Sequence, residues 1–168
     1  MADAERIEAL ERRVAALESQ GGSSAGSVSP ADDRDDTFWA LDGLRARVPE
    51  PGAVMMVGSV RTPKGHHAHW QVAEEADALF ASDFADRADS LAALAHPVRL
   101  RMLQAILGDA ETVRDLAATG EFGTSGQIYH HLRQVTAHGW LRAIGGGRYE
   151  VPAARVVPLL TILLGVDR

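Results

Sequence analysis

The sequence predicts an α+β chain, mainly helical with small β-hairpins, in which a C-terminal domain follows a linked extension. Three observations predict it. Apolar residues recur at helical spacing in "ERIEALERRVAALESQ", "PVRLRMLQAILG" and "QIYHHLRQVTAHGWL". Two pairs of β-rich runs are joined by Gly- or Pro-containing turns: "GAVMMVGSV" with "HAHWQVA", and "WLRAI" with "RYEV". A run rich in Gly, Ser and Asp, "GGSSAGSVSPADDRDD", separates the first helical pattern from the rest.

The elements follow in order. Ile7, Leu10, Val14 and Leu17 are spaced by three, four and three, an a/d heptad stripe flanked by Glu and Arg. Residues 1–20 therefore form an amphipathic, coiled-coil-like helix, suited either to dimerisation or to folding back on its own domain. Residues 21–36 form a flexible linker. Residues 37–89 form an extension. In it, Asp36 or Thr37 caps the helix "FWALDGLRARV", which ends before Pro49, and two strands flank "RTPKGH" as a hairpin. Helical spacing then resumes through "EEADALFASDFADRADSLAALAHP".

The remainder, 90–168, opens with a helix at Pro97, with His96 at its entrance. Thr112 caps a short helix carrying Val113, Leu116 and Ala117 inward. Gly120 and Gly123 mark a turn. Thr124 caps the next helix, which Gly139 stops. A hairpin with a "GGG" tip and a final helix from about Pro152 complete the chain. That helix carries Val156, Leu159, Leu160 and Leu163 and is apolar nearly all round, so it must be buried. A dimer interface or the core of one subunit would bury it.

Helix, helix, turn, helix, β-hairpin is the order of a winged helix-turn-helix domain. The segments "LAALAHPVRLRMLQAIL", "TVRDLAA", "QIYHHLRQVTAHGWL" and "GGGRYEV" occur in that order. Over roughly residues 90–165 the chain resembles the ArsR-type winged-helix transcriptional regulators of bacteria. The resemblance implies a homodimer that binds double-stranded DNA at a palindromic site. The lack of a leader pattern or a bilayer-spanning run predicts a cytoplasmic protein, nucleoid-associated when bound, and the resemblance leaves room for an effector or protein partner. "TSG" stands where Ser and Pro are common in that family, and Tyr129 is larger than the usual small polar residue.

Helical phase shows what the second of these helices can present. At about 100° per residue, Leu132 and Val135 fall near Ile128 and form a buried stripe. Gly126, His130 and Arg133 lie opposite, flanked by Gln127, Gln134 and Tyr129. Such a face suits a major groove, where Gln reads adenine and Arg reads guanine. Thr124, Ser125, Gln127, Tyr129, His130 and Arg133 are the candidate DNA contacts on the helix. Arg142 and Arg148, bracketing the hairpin tip, are the candidate phosphate contacts. Taken alone, these are ordinary exposed polar residues, and the same surface could serve a protein-interaction or assembly module that does not bind DNA specifically.

Composition bounds the alternatives. The 168 residues are 46% hydrophobic, enough to build a core, and include no cysteine. Disulfides, thiolate metal sites and a cysteine nucleophile are excluded. The net charge of −6 is unevenly spread. Residues 1–89 carry nine Lys/Arg and seventeen Asp/Glu, whereas 90–168 carry eight and six, so the C-terminal part is the better match for an anion. No basic-then-apolar leader opens the chain, and "VVPLLTILLGV" is too short to span a bilayer and contains Pro158, which predicts a soluble protein with no membrane partner.

A metal site finds little support. His130 and His131 point about 100° apart on a helix, and His138 lies two turns beyond His131. His67 and His69 share one strand face and are the weak metal candidates, but they lack an identifiable third ligand. Trp39, Met55, Met56 and Trp70 suit ordinary core packing better than a pocket. No phosphate loop, nucleophile elbow or His-Glu-x-x-His run is present, so the reading is a non-enzyme with no cofactor.

Overall fold

A computed structural model describes residues 36–167. The expected heptad residues Ile7, Leu10, Val14 and Leu17, and most of the linker, lie outside the described residues. The chain divides into two compact units, Met1–Gly43 and Leu44–Arg168. A 3-10 turn, Asp36–Phe38, leads into α1, Trp39–Arg45, at that division. The second unit begins with an antiparallel hairpin, β1 (Ala53–Arg61) and β2 (His67–Glu75). Next come α2 (Ala76–Ala81), a 3-10 turn (Phe84–Arg87), α3 (Ala88–Leu94) and α4 (Pro97–Leu107). Then follow α5 (Val113–Ala118), α6 (Ser125–Ala137), the hairpin β3 (Arg142–Gly145) and β4 (Arg148–Glu150), and α7 (Ala153–Val166). The described chain is thus α+β, with seven α-helices and two separate two-stranded sheets.

The start and stop signals in the sequence act locally as expected. His96 caps α4 by accepting the Val98 amide on Nδ1 at 3.2 Å, with Pro97 in the first turn. Thr112 and Asp115 close a capping box on α5. The Glu111 and Thr112 amides donate to the Asp115 carboxylate, the Thr112 hydroxyl lies beside it and accepts the Asp115 amide, and together they hold its pKa below the ordinary value. Gly139 ends α6 at φ +69°, a backbone conformation that a Cβ disfavours. The long helical pattern after β2 breaks where Ser82 Oγ bonds the Leu79 carbonyl at 2.7 Å and Asp83 caps the next turn. Two short helices and a 3-10 turn replace one continuous helix there.

The main core joins α3, α4, α5, α6 and α7. Met102, Leu103 and Ile106 from α4 meet Leu116, Ile128, Leu132 and Val135, with Phe122, Trp140 and Leu141 closing the turns. Trp140 Nε1 donates to the Ser90 carbonyl at 3.0 Å, and the Arg155 guanidinium lies 4.9 Å from the centre of its ring.

Helix α7 is apolar on several sides because it has two packing partners. Leu159 enters the main core, while Val156 and Val157 pack with Ala68, Met56, Val60 and Trp70 of the β1–β2 hairpin. The hairpin approaches closely at Gly58, where a Cβ would lie 2.5 Å from Val157 Cγ1. Of the four α7 residues expected at a dimer interface, Val156 and Leu159 are buried within the chain, Leu163 is half-buried, and Leu160 is exposed. Met56 and Trp70 serve the hairpin core as expected, whereas Met55 takes the opposite strand face and Trp39, 65% exposed, does not pack in a core. Pro158 lies inside α7 and cannot donate to the Ala154 carbonyl.

Candidate functional site

Helix α6 displays the two faces that its sequence predicts. Ile128, Leu132 and Val135 are buried, whereas Thr124, Ser125, Gly126, Gln127, Tyr129, His130 and Arg133 are exposed. The main core holds α6 from behind through α4 and α5, so its orientation is set by packing rather than by its own propensity.

The first turn is closed by a second capping box. The Thr124 amide and hydroxyl donate to Gln127 Oε1 at 2.8 and 3.1 Å, and the Gln127 amide donates back to Thr124 Oγ1 at 3.4 Å. The expected site residue Gln127 therefore spends its acceptor oxygen on its own helix, leaving its Nε2 group. Gly123, at φ +77°, clears the space that the Gln127 amide fills. Tyr129, His130 and Arg133 extend from the face beyond this cap, with Tyr129 at 51% exposure.

The two adjacent histidines part company. His130 is exposed and His131 is half-buried, with Nδ1 buried and unpartnered. His131 lies 4.8 Å from His96 and 5.5 Å from His130 between ring centres. Desolvation first, then the electrostatic influence of His96, His130 and Arg99, push the His131 pKa below its ordinary value of 6.5.

The β3–β4 hairpin carries the other expected contacts. It is anchored by the Tyr149 amide donating to the Glu111 carbonyl at 2.8 Å, beside a single bridge between Thr112 and Arg148. Gly145, Gly146 and Gly147 all take positive φ at its tip. Arg142 and Arg148 are exposed, and both have acidic partners that the sequence reading did not identify. Arg142 Nε donates to Glu150 across the hairpin at 2.9 Å, and Arg148 lies 3.9 Å from Glu111. The Arg142 partner was within reach of the sequence, because the two residues face each other in the hairpin register. A further signal is that no Asp or Glu occurs from Phe122 to Tyr149, a stretch holding Arg133, Arg142, Arg148 and three histidines. Of these cations, Arg133 is exposed on α6 beside His130, whereas the hairpin's Arg142 and Arg148 face Glu150 and Glu111.

His67 and His69 share a strand face, with ring centres 6.0 Å apart, and His69 Nδ1 lies 3.0 Å from Ser59 Oγ. No third His, Cys, Asp or Glu joins them in a metal-ligand group among the described residues. No described helix is long and apolar enough to cross a membrane. No protein-family model matches the chain, and no curated protein or solved structure is found to be similar to it.

Proposed function

We propose that the chain is a DNA-binding transcriptional regulator of the ArsR-like winged-helix type, acting as a homodimer on a palindromic site in the cytoplasm. The observation that carries this reading is the exposed polar face of α6, where Tyr129, His130 and Arg133 stand opposite the buried Ile128, Leu132 and Val135. In this reading α6 enters the major groove. Arg133 offers a bidentate donor pair to guanine, and His130 and Tyr129 reach base edges or phosphates. Thr124 and Ser125 lie at the helix start, where backbone amides suit a phosphate oxygen. Arg142 and Arg148 exchange Glu150 and Glu111 for phosphates, which fix register without reading sequence. Two copies related by a two-fold axis place their α6 helices about 34 Å apart, in successive major grooves.

The acidic partners of both hairpin arginines favour a second reading, an interaction module that docks protein rather than DNA. Selection of bound fragments from genomic DNA separates the two. The regulator reading expects enrichment of a palindromic sequence, with Arg133→Ala relaxing the preference at one base position by about 1–3 kcal/mol. Recovery of no common sequence favours the docking module.

A further inference from the structure

The β1–β2 hairpin has a long open edge. At one end of its ladder the Ala76 amide donates to the Gly52 carbonyl, and at the other the Thr62 amide donates to the His66 carbonyl. Antiparallel bonding alternates along a strand, so between these ends the even-numbered residues of β1 bond β2. Ala53, Met55, Val57, Ser59 and Arg61 turn their amides and carbonyls the other way. Among the described residues no other strand pairs with them. Helix α7 packs on one face of the hairpin, at Gly58 and Val60, and does not occupy this edge.

The two strands differ in what they present. β2 carries His67, His69, Glu74 and Glu75, and charged groups on an outer strand discourage further pairing. β1 holds no charge and no proline from Ala53 to Val60, and its register with β2 runs without a bulge. Val54 and Val57 stand 64% and 45% exposed on its opposite faces.

We propose that the open edge of β1 docks β1 of a second copy, antiparallel about a two-fold axis at Val57, so that the two hairpins form one continuous sheet. Overlap of all nine residues of β1 fixes the axis there. Ala53 then lies opposite Arg61 of the second copy, Met55 opposite Ser59, and Val57 opposite Val57. Every pair joins outward-turned residues, so the free amides and carbonyls satisfy one another. The exposed aliphatics are covered on both faces: Val57 meets its own counterpart, and Val54 lies beside the second copy's Val60. No like charges meet. Arg61 of the second copy reaches over the small Ala53 toward Glu75, which faces Ala53 from β2. This contact lies outside the winged-helix segments. It gives the homodimer reading a defined interface and does not depend on DNA binding.

The test uses the full chain without DNA. Sedimentation should show a dimer. Hydrogen exchange should show the Met55, Val57 and Ser59 amides protected alongside those of Met56 and Gly58, with the odd-numbered set losing protection on dilution. Fast exchange of the odd-numbered amides in a dimer overturns the β1 pairing and leaves the homodimer reading to another contact. A monomeric parent overturns both. Val57→Lys and Val57→Glu each set like charges against each other at the axis and should raise the dimer dissociation constant about tenfold or more. Mixing the two variants should restore dimerisation, because opposite charges then meet at the axis. Unchanged dimerisation of both variants, or a mixture no more dimeric than its components, overturns the β1 pairing.

Discussion

His130 and His131 are neighbours in sequence and have different physical roles, because one residue of helix rotates the side chain by about 100°. His131 packs beside His96, and desolvation, reinforced by its electrostatic neighbours, favours its neutral form. The folded-state pKa is therefore below the unfolded one, so the unfolded chain binds more protons as pH falls. The stabilisation is fully present above about pH 6.5, the ordinary value, and is lost as pH falls through the folded pKa. Melting temperature should drop on acidification below that value, and His131→Phe should remove part of the drop. A variant with the same pH slope as the parent would show that His131 does not carry it. The different surroundings of the pair were legible from helical phase alone. The capping role of Gln127 is also legible, since Thr124 and Gln127 have the Thr-x-x-Gln spacing of a capping box, and that role competes with DNA contact for its acceptor oxygen. The Lys64–Glu111 pair was not legible, because 47 residues separate its members.

At the scale of elements, caps and turns were readable because they depend on a few adjacent residues. Pro97, Thr112, Thr124 and Gly139 bound their helices as the sequence predicts. The single long pattern after β2 was misleading, because apolar periodicity continues across Ser82 and Asp83 while their side chains bond the local backbone. Gly123 has two reasons to be glycine, its positive φ and the Gln127 amide beside it. Gly123→Ala should destabilise by about 1–2 kcal/mol and loosen the start of α6, read as a lower urea midpoint at unchanged slope. The packing of β1 on α7 could not be read locally, since one glycine in a strand does not name its partner. Gly58→Ala should cost about 1–3 kcal/mol by pushing on Val157, and Val157→Ala in the same chain should recover part of it. Strictly additive losses would mean that the two positions are not in contact.

For the whole molecule, the sequence gives the α+β class and the order of elements, and the structure adds that the β1–β2 hairpin shares a core with α7. That packing occupies Val156, Val157 and Leu159 and leaves Leu160 and Leu164, one turn apart, exposed at 39% and 63%. In the homodimer reading these two form the α7 contribution to the subunit contact. Leu160→Glu with Leu164→Glu should shift sedimentation from dimer to monomer, and a variant that remains dimeric places the contact elsewhere.

Whether the surface of α6 and the β3–β4 tip meets DNA is decided by the affinity of the full chain for a selected fragment across a salt series. If this surface meets DNA, binding should weaken linearly in log–log form as salt rises. Arg148→Ala should lower affinity and reduce the salt slope by about one. Absence of binding at low salt, or binding with a slope that Arg133→Ala and Arg148→Ala leave unchanged, would contradict it.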